Sequence, residues 1–214
     1  MVKLEESLSD QERKTLAALQ TPYQVQLYLD SLPYIAEERN RSPLAVLRDS
    51  QCHCYDGALL AAAVLRRIGY APLVIDLWPE PGMDDDHVLA LYRVDGHWGA
   101  LAKSNYAGLR FREPVYHTLR ELVMTYFENF YSLEGIKTLR SYTRPLNLSR
   151  LDALNWETDE LGVAVIEERL HHLRRYPLLT PAMVRRLSPM DERAYQAGMH
   201  GTNIEQSFGR RENA

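Results

Sequence analysis

The sequence predicts an α+β protein in which one buried helix packs on an antiparallel sheet. Residues 54–68, "CYDGALLAAAVLRRI", are apolar on nearly every side, as expected of a helix that is covered all round. Residues 87–104, "HVLALYRVDGHWGALAKS", contain Asp95-Gly96, the dipeptide preferred in two-residue hairpin turns. Helical patterns are grouped before and after these stretches, which is typical of α+β proteins.

Each remaining element has its own local signal. Ser9 with Glu12 forms a capping-box pattern, and Thr21-Pro22 and Ser42-Pro43 place a cap before a proline, as at helix starts. The other predicted elements are a strand at 72–78, helices at 115–131, 158–175 and 181–196, and a polar, frayed tail at 201–214. We predict one domain over 1–150, with 151–214 as a helical extension packed on it.

Composition limits the class of protein. The chain has 214 residues, 45% of them hydrophobic, which is enough for one substantial core. The net charge of -4 is spread over mixed signs and predicts no nucleic-acid partner. The longest apolar run, Ala58 to Leu65, is far shorter than the roughly 20 residues that cross a bilayer, so no membrane association is predicted. The charged start "MVKLEESLSDQERK" is unlike a signal peptide, so we predict a cytoplasmic protein.

A cytoplasmic setting keeps thiols reduced, and Cys52 and Cys54 are too close in sequence for an ordinary disulfide. Cys54 begins the buried helix, where the helix dipole and unpaired N–H groups favour a thiolate. The same N–H groups suit a developing oxyanion. Cys54 is therefore a candidate nucleophile, although the nearby carboxylate of Asp56 disfavours a thiolate. The alternative is a buried cysteine that acts as a small hydrophobe.

A nucleophilic thiol needs a histidine to take its proton. His53 is expected to point away from the helix start, His97 lies in the hairpin turn, and His171 and His172 have a surface pattern. His87 begins a strand directly after an acidic loop, which is a suitable place for an imidazole facing a helix N-terminus. The alternative for His87 is a strand-edge histidine that hydrogen-bonds the backbone.

The two-residue turn also predicts the register of the hairpin. Arg93 should face Trp98 and Leu91 should face Ala100. Continued to the ends of both strands, the same register places Ser104 opposite His87.

Two stretches, "CYDGALLAAAVLRRIGYAP" and "DHVLALYRVDGHWGAL", resemble the transglutaminase-like superfamily. This is a papain-like fold that includes bacterial transglutaminase-like cysteine proteinases. Its members show a cysteine at a helix start, an alanine four positions on and "LR-x-x-G". A strand, a second strand opened by histidine, a hairpin turn and a tryptophan follow. The resemblance covers roughly residues 20–105, and the chain beyond looks like a bacterial subgroup of uncharacterised transglutaminase-domain proteins. The matching positions are Cys54, Ala58, Leu65-Arg66, Gly69, His87 and Trp98.

The resemblance implies that Cys54 is the nucleophile and His87 its base. The aspartate that usually orients the histidine is replaced here by Ala102. Two substitutes are open: Ser104, which faces His87 if the strand runs that far, and Asn105, if a bulge or turn brings it round. Papain-like enzymes use an asparagine in this role.

Three further sets of residues are candidates for roles at this site. The carboxylates of Asp84, Asp85 and Asp86 are local candidates to orient His87, while Gln51 and the Cys54 N–H are candidates for the oxyanion site, as a glutamine is in papain-like enzymes. The acidic run could instead hold calcium or magnesium, but a solvated loop is favoured. A zinc site from "CHC" and His87 is disfavoured because consecutive ligands diverge, and we predict no metal and no cofactor.

We therefore predict thiol-dependent acyl transfer on a peptide-like amide by a cysteine peptidase or amidase, or by a transglutaminase-type enzyme. Peptide or protein substrates are the expected partners, and the sequence leaves the oligomeric state open. The alternative is a weakly active or inactive module of the same fold that binds a peptide or protein. Ala102 favours this alternative, since alanine cannot orient an imidazole.

Overall fold

The computed structural model describes residues 4–207. Caps predicted from the sequence begin several helices, since the Ser9 and Thr21 side chains both form complete capping boxes. The α-helices in this part of the chain are α1 (Leu4–Ser7), α2 (Asp10–Ala18), α3 (Pro22–Ser31), α4 (Pro43–Asp49), α5 (Cys54–Arg67), α6 (Leu119–Met124), α7 (Glu160–His171), α8 (Pro181–Val184) and α9 (Glu192–Gly198).

The strands form one sheet in which all pairs are antiparallel. Its order is β4-β3-β2-β1-β5-β7, and β6 also pairs with β1. The predicted α+β class is confirmed. The strands are β1 (Leu73–Pro79), β2 (His87–Val94), β3 (His97–Leu101), β4 (Arg112–Tyr116), β5 (Leu139–Thr143), β6 (Leu146–Asn147) and β7 (Arg175–Pro177).

Helix α5 is the buried helix that the sequence predicts. Every residue from Tyr55 to Leu65 is buried, and the helix packs on β2 and β1. Arg66 in its last turn forms a two-point ion pair with Asp152, at 2.6 and 2.7 Å. Gly69 follows with φ +99°, a left-handed conformation that glycine adopts at no steric cost.

The central strand β2 is buried on both faces. Val88, Ala90 and Tyr92 belong to the core shared with α5, whereas Leu89 and Leu91 belong to a second core on the other face, with residues of α6. The alternation follows from the two-residue period of a strand. His87 is the first residue of β2 and has the parity of Leu89 and Leu91.

The hairpin register is confirmed near the turn and wrong at its far end. Arg93 pairs with Trp98 and Leu91 with Ala100, but β3 ends at Leu101, so Ser104 does not lie opposite His87 in the sheet. The cause is Gln26 of α3. Its side-chain amide accepts from the Ala102 N–H at 3.1 Å and donates to the Ala102 carbonyl at 2.9 Å. The Gln26 side chain thus hydrogen-bonds the N–H and carbonyl groups of Ala102, which would pair with a neighbouring strand if β3 were longer.

Two predicted helices are interrupted. Residues 112–116 form strand β4, and the helix predicted over 115–131 is reduced to α6 and a 3-10 turn at Phe127–Asn129. In place of the helix predicted over 181–196 there are two short helices, α8 and α9, separated by residues 185–191, a segment that contains Pro189. Strands β5 and β7 carry no sequence signal that we recognised.

Within the tail predicted to be frayed, Thr202 and Asn203 form hydrogen bonds with Asn105, and residues 208–214 lie outside the described part. The domain division at residue 150 stays a prediction. Among the helices of residues 4–207, none combines the length and apolar character needed to cross a membrane.

Candidate active site

Cys54 is the first residue of α5, following the N-cap residue His53. Its sulfur donates to the Asp86 carbonyl oxygen at 3.9 Å, and the Val88 backbone also hydrogen-bonds the sulfur. Asp86 and Val88 are the two chain neighbours of His87. The candidate nucleophile therefore lies beside the backbone of the candidate base.

A close approach of α5 to the end of the hairpin holds the sulfur there. A Cβ atom added to Gly57, in the first turn of α5, would lie 2.4 Å from the Lys103 Cβ. Any larger residue at this position would force the two segments apart. Lys103 is itself anchored, because its buried ammonium group donates to the carbonyl oxygens of Leu29 and Leu32 at the end of α3.

The His87 ring is buried and has a defined tautomer. It packs edge-on against Phe130, and its Nε2 lies 2.8 Å from the Leu109 carbonyl oxygen. Because a carbonyl only accepts, Nε2 carries the proton, and Nδ1 of the neutral ring is the basic nitrogen. The Leu109 backbone carbonyl thus fixes the orientation of the imidazole.

Cys54 and His87 make no direct hydrogen bond within residues 4–207. The sulfur packs with the α5-side core, whereas the ring packs against Phe130, which belongs to the core on the opposite face of the sheet. Both residues lie near the start of β2, but their side chains pack on opposite faces of the sheet, so proton transfer between them requires a side-chain movement.

Ser104 and Asn105, the residues predicted to orient His87, hydrogen-bond other groups, and their role at His87 stays a prediction. The Ser104 hydroxyl accepts the Tyr106 N–H at 3.0 Å. The Asn105 amide binds the backbone of Asn203 in both directions, at 2.8 and 2.9 Å. Both residues line the small cavity that contains His87, but neither hydrogen-bonds its ring.

The remaining predicted site residues are placed as follows. Gln51 is partly buried two positions before the N-cap of α5, and within residues 4–207 its side chain makes no hydrogen bond; its oxyanion role stays a prediction. Asp84 accepts the Thr138 hydroxyl at 2.7 Å. The Asp86 carboxylate lies near His171, with 3.5 Å between Oδ2 and Nε2.

Electrostatics keep both candidate catalytic groups neutral near pH 7. Burial raises the pKa of the Cys54 thiol well above its usual range, and the charges of Asp86 and Asp85 raise it further. Burial lowers the pKa of His87 to about 4. The resting site is therefore a thiol and a neutral imidazole. This arrangement fits general-base activation at the moment of attack rather than a preformed ion pair.

Asp56, the carboxylate expected to oppose a thiolate, is turned away from the sulfur. It is fully buried, accepts the Arg41 N–H at 2.7 Å and lies 3.6 Å from the guanidinium of the same arginine. The His53 N–H also donates to it, so it closes the N-terminus of α5. Burial raises the pKa of Asp56 to about 7.

The His87 cavity continues into a larger cleft. The cavity around His87 measures about 40 Å³ and the cleft about 470 Å³. The cavity and the cleft have four lining residues in common, namely Tyr34, Ser104, Asn105 and Tyr106.

Residues 201–207, here called the C-terminal strap, line both spaces. Two hydrogen bonds attach the strap to other segments of the chain. Its Thr202 hydroxyl donates to the Asn105 carbonyl at 3.2 Å, and the Gln206 side chain accepts the Ala36 N–H at 2.6 Å. The strap thus narrows the approach to His87. Its polar sequence carries no signal of this role.

No family model matches the sequence, and no curated protein matches it. Among solved structures, the chain is similar to LapG of Legionella pneumophila after EGTA treatment, with TM-score 0.36, 14% identity and coverage of 49% of this chain and 71% of that chain. For calcium-bound LapG of the same organism the TM-score is 0.35 and the identity 13%, with coverage of 47% of this chain and 67% of that chain. For a Cytophaga hutchinsonii protein described as a candidate cysteine protease, the TM-score is 0.33 and the identity 16%, with coverage of 46% of this chain and 43% of that chain. The likeness is partial and concerns the fold.

Proposed function

We propose that this protein is a thiol-dependent acyl-transfer enzyme that acts on peptide-like amides, with Cys54 as nucleophile and His87 as base. One observation carries the proposal. The Cys54 sulfur lies at the N-terminus of the buried helix α5, against the backbone on both sides of His87. The ring of His87 is held through Nε2, which leaves Nδ1 as the basic nitrogen.

The reaction follows from these positions. A side-chain movement brings the sulfur to the imidazole, and Nδ1 of His87 takes the thiol proton as Sγ forms a bond to the substrate carbonyl carbon. The first-turn N–H groups of α5, which have no partner within the helix, stabilise the oxyanion. The C–N bond then breaks, and the imidazolium returns its proton to the leaving amine. Water or a second amine attacks the resulting thioester and releases the Cys54 thiol.

Access to the thioester decides between hydrolysis and transamidation. Water gives a peptidase or amidase, and an amine acceptor gives a transglutaminase-type product. The C-terminal strap narrows the cleft that leads to His87, and a peptide or protein chain in extended form suits a narrow cleft better than a bulky substrate.

The test is acylation by p-nitrophenyl acetate, with the modified residue mapped by peptide mass spectrometry. Cys52 is the matched control, because it is fully buried and burial raises its thiol pKa to about 12. We expect acetylation at Cys54 in the wild type and in C52A. His87→Gln should slow it by about a hundredfold or more, the usual contribution of a general base.

Equal acetylation of Cys54 in the wild type and in H87Q would contradict the proposal, because it would leave His87 without a part in the reaction. Adding a primary alkylamine to the acetylated wild type then separates the two outcomes. Faster loss of the acetyl group with formation of the amide indicates transamidation, and an unchanged rate indicates hydrolysis.

A second candidate function is peptide or protein binding without catalysis. The raised pKa of Cys54 and the lack of a sulfur–imidazole hydrogen bond favour it. In that case Cys54→Ala binds a peptide ligand as tightly as the wild type does, and neither the wild type nor C52A releases p-nitrophenol above the rate of H87Q.

A further inference from the structure

We propose that Asp76, Asp86 and His171 form a binding site for a divalent transition-metal ion such as zinc. Asp76 lies in the middle of β1, Asp86 immediately precedes β2, and His171 is the last residue of α7. One ligand atom from each residue lies within 4.8 Å of the other two. From the sequence we expect no metal, because the acidic run has the pattern of a solvated loop and His171 that of a surface residue.

The buried carboxylate of Asp76 is the observation that points to a cation. Asp76 is fully buried, and neither of its oxygens makes a hydrogen bond of ordinary length and angle, although the Asp86 carboxyl and the Trp78 indole N–H lie close enough to interact with it. An ionised carboxylate is costly to bury without a partner, so such a group either takes up a proton or receives a positive charge. Arg175, a cationic side chain whose charge acts on Asp76, forms no ion pair with it within residues 4–207; its guanidinium carbon lies 3.3 Å from the centre of the Trp78 ring.

The geometry of the three side chains is close to that of a bound site. His171 Nε2 lies 3.5 Å from Asp86 Oδ2, and two ligands on a tetrahedral zinc with bonds of about 2.0–2.1 Å are separated by roughly 3.3 Å. The ligand atom of Asp76 lies within 4.8 Å of both. Because the His171 side chain is 44% exposed, an ion can enter from solvent.

The donor set selects the class of ion. One imidazole and two carboxylates suit zinc and similar divalent transition metals, whereas calcium and magnesium prefer oxygen ligands alone. Three protein ligands leave a coordination position for water, as in open zinc sites. The competing explanation is a single proton shared by Asp76 and Asp86, which would remove the need for a cation.

The first experiment is calorimetric titration of the chelator-treated full chain with Zn²⁺, followed by the same titration of His171→Ala and Asp76→Asn. We expect one ion per wild-type chain and binding weaker by about tenfold or more in both variants. His172→Ala is the matched control. His172 follows His171 in the chain, but its ring hydrogen-bonds the Glu168 carbonyl at 2.7 Å. Cys54→Ala tests whether the thiol binds the metal instead.

The second experiment is local and does not depend on activity. The Trp78 ring lies 5.4 Å from the His171 ring, so Co²⁺ at the site should quench Trp78 fluorescence, and Trp78→Phe should lose most of the quenching. Circular dichroism confirms that each variant is folded. Absence of Zn²⁺ binding by the wild type, equal loss in H171A and H172A, or loss only in C54A would each overturn the proposal. Failure of acylation at Cys54 would not affect it.

Discussion

Replacing His87 with glutamine should change how the stability of this protein depends on pH. The ring of His87 is 4% exposed, and burial lowers its pKa from the ordinary 6.5 to about 4. Between these two pH values, His87 is protonated in the unfolded chain but neutral in the folded chain. The stabilising contribution of the neutral ring is therefore fully present above about pH 6.5 and is lost as the pH falls toward 4.

The size of the effect follows from the pKa difference. A drop from 6.5 to about 4, at about 1.4 kcal/mol for each unit, corresponds to about 3 kcal/mol of unfolding free energy. The wild type alone would not reveal it, since burial raises the pKa of Asp56 to about 7 and that of Asp84 to about 6. Those carboxyls take up protons more readily in the folded state and oppose the trend. Both are present in the variant, so the difference between the two proteins cancels them.

The assay is urea unfolding of the wild type and of His87→Gln at several values from about pH 7.5 to about pH 4. Glutamine keeps a donor for the Leu109 carbonyl but does not titrate. We expect the stability advantage of the wild type over the variant to shrink by about 3 kcal/mol across this range. His172→Gln, a substitution at an exposed histidine, serves as the control. Its free energy of unfolding should differ little from that of the wild type at any pH. A constant difference for His87→Gln would show that the ring is solvated or charged in the folded state, and the base tautomer assigned to it would then be wrong.

Three further predictions concern the surroundings of the site. Gln26→Leu keeps the side-chain volume but leaves the buried N–H and carbonyl of Ala102 without their partners, so we expect a loss of about 2–5 kcal/mol in urea unfolding; a loss below about 0.5 kcal/mol would contradict this. Asp86→Asn removes the charge that, after burial, raises the pKa of Cys54 most, so iodoacetamide should alkylate Cys54 several-fold faster at neutral pH, and an unchanged rate would refute the assigned cause. Deleting residues 201–214 removes the C-terminal strap and should raise the rate of acetylation at Cys54 by p-nitrophenyl acetate, with the far-ultraviolet circular dichroism otherwise preserved; a slower reaction in a folded protein would show that the strap helps to build the site.

Local signals in the sequence predicted the core of the fold well. The buried helix begins at Cys54, as the apolar pattern predicts, and the Asp95-Gly96 turn gives the predicted register close to it. These features succeed because caps, turn residues and periodicity act between residues a few positions apart. The same reasoning failed for the helix predicted over 115–131, because its apolar periodicity did not reveal that strand β4 pairs with β3 or that the α-helix is limited to Leu119–Met124.

The sequence by itself determined which residues carry the candidate chemistry: a cysteine at the start of a buried helix and a histidine at the start of a central strand. Only the tertiary structure decided what surrounds them. A backbone carbonyl from residue 109 orients His87, and backbone groups carry no side-chain signature. Gln26 binds the end of the hairpin from 76 positions away, and His171 lies 3.5 Å from Asp86 although the two are far apart in the chain. Such contacts depend on how distant segments pack, so the interactions that tune a thiol and an imidazole cannot be deduced from the residues next to them in the chain.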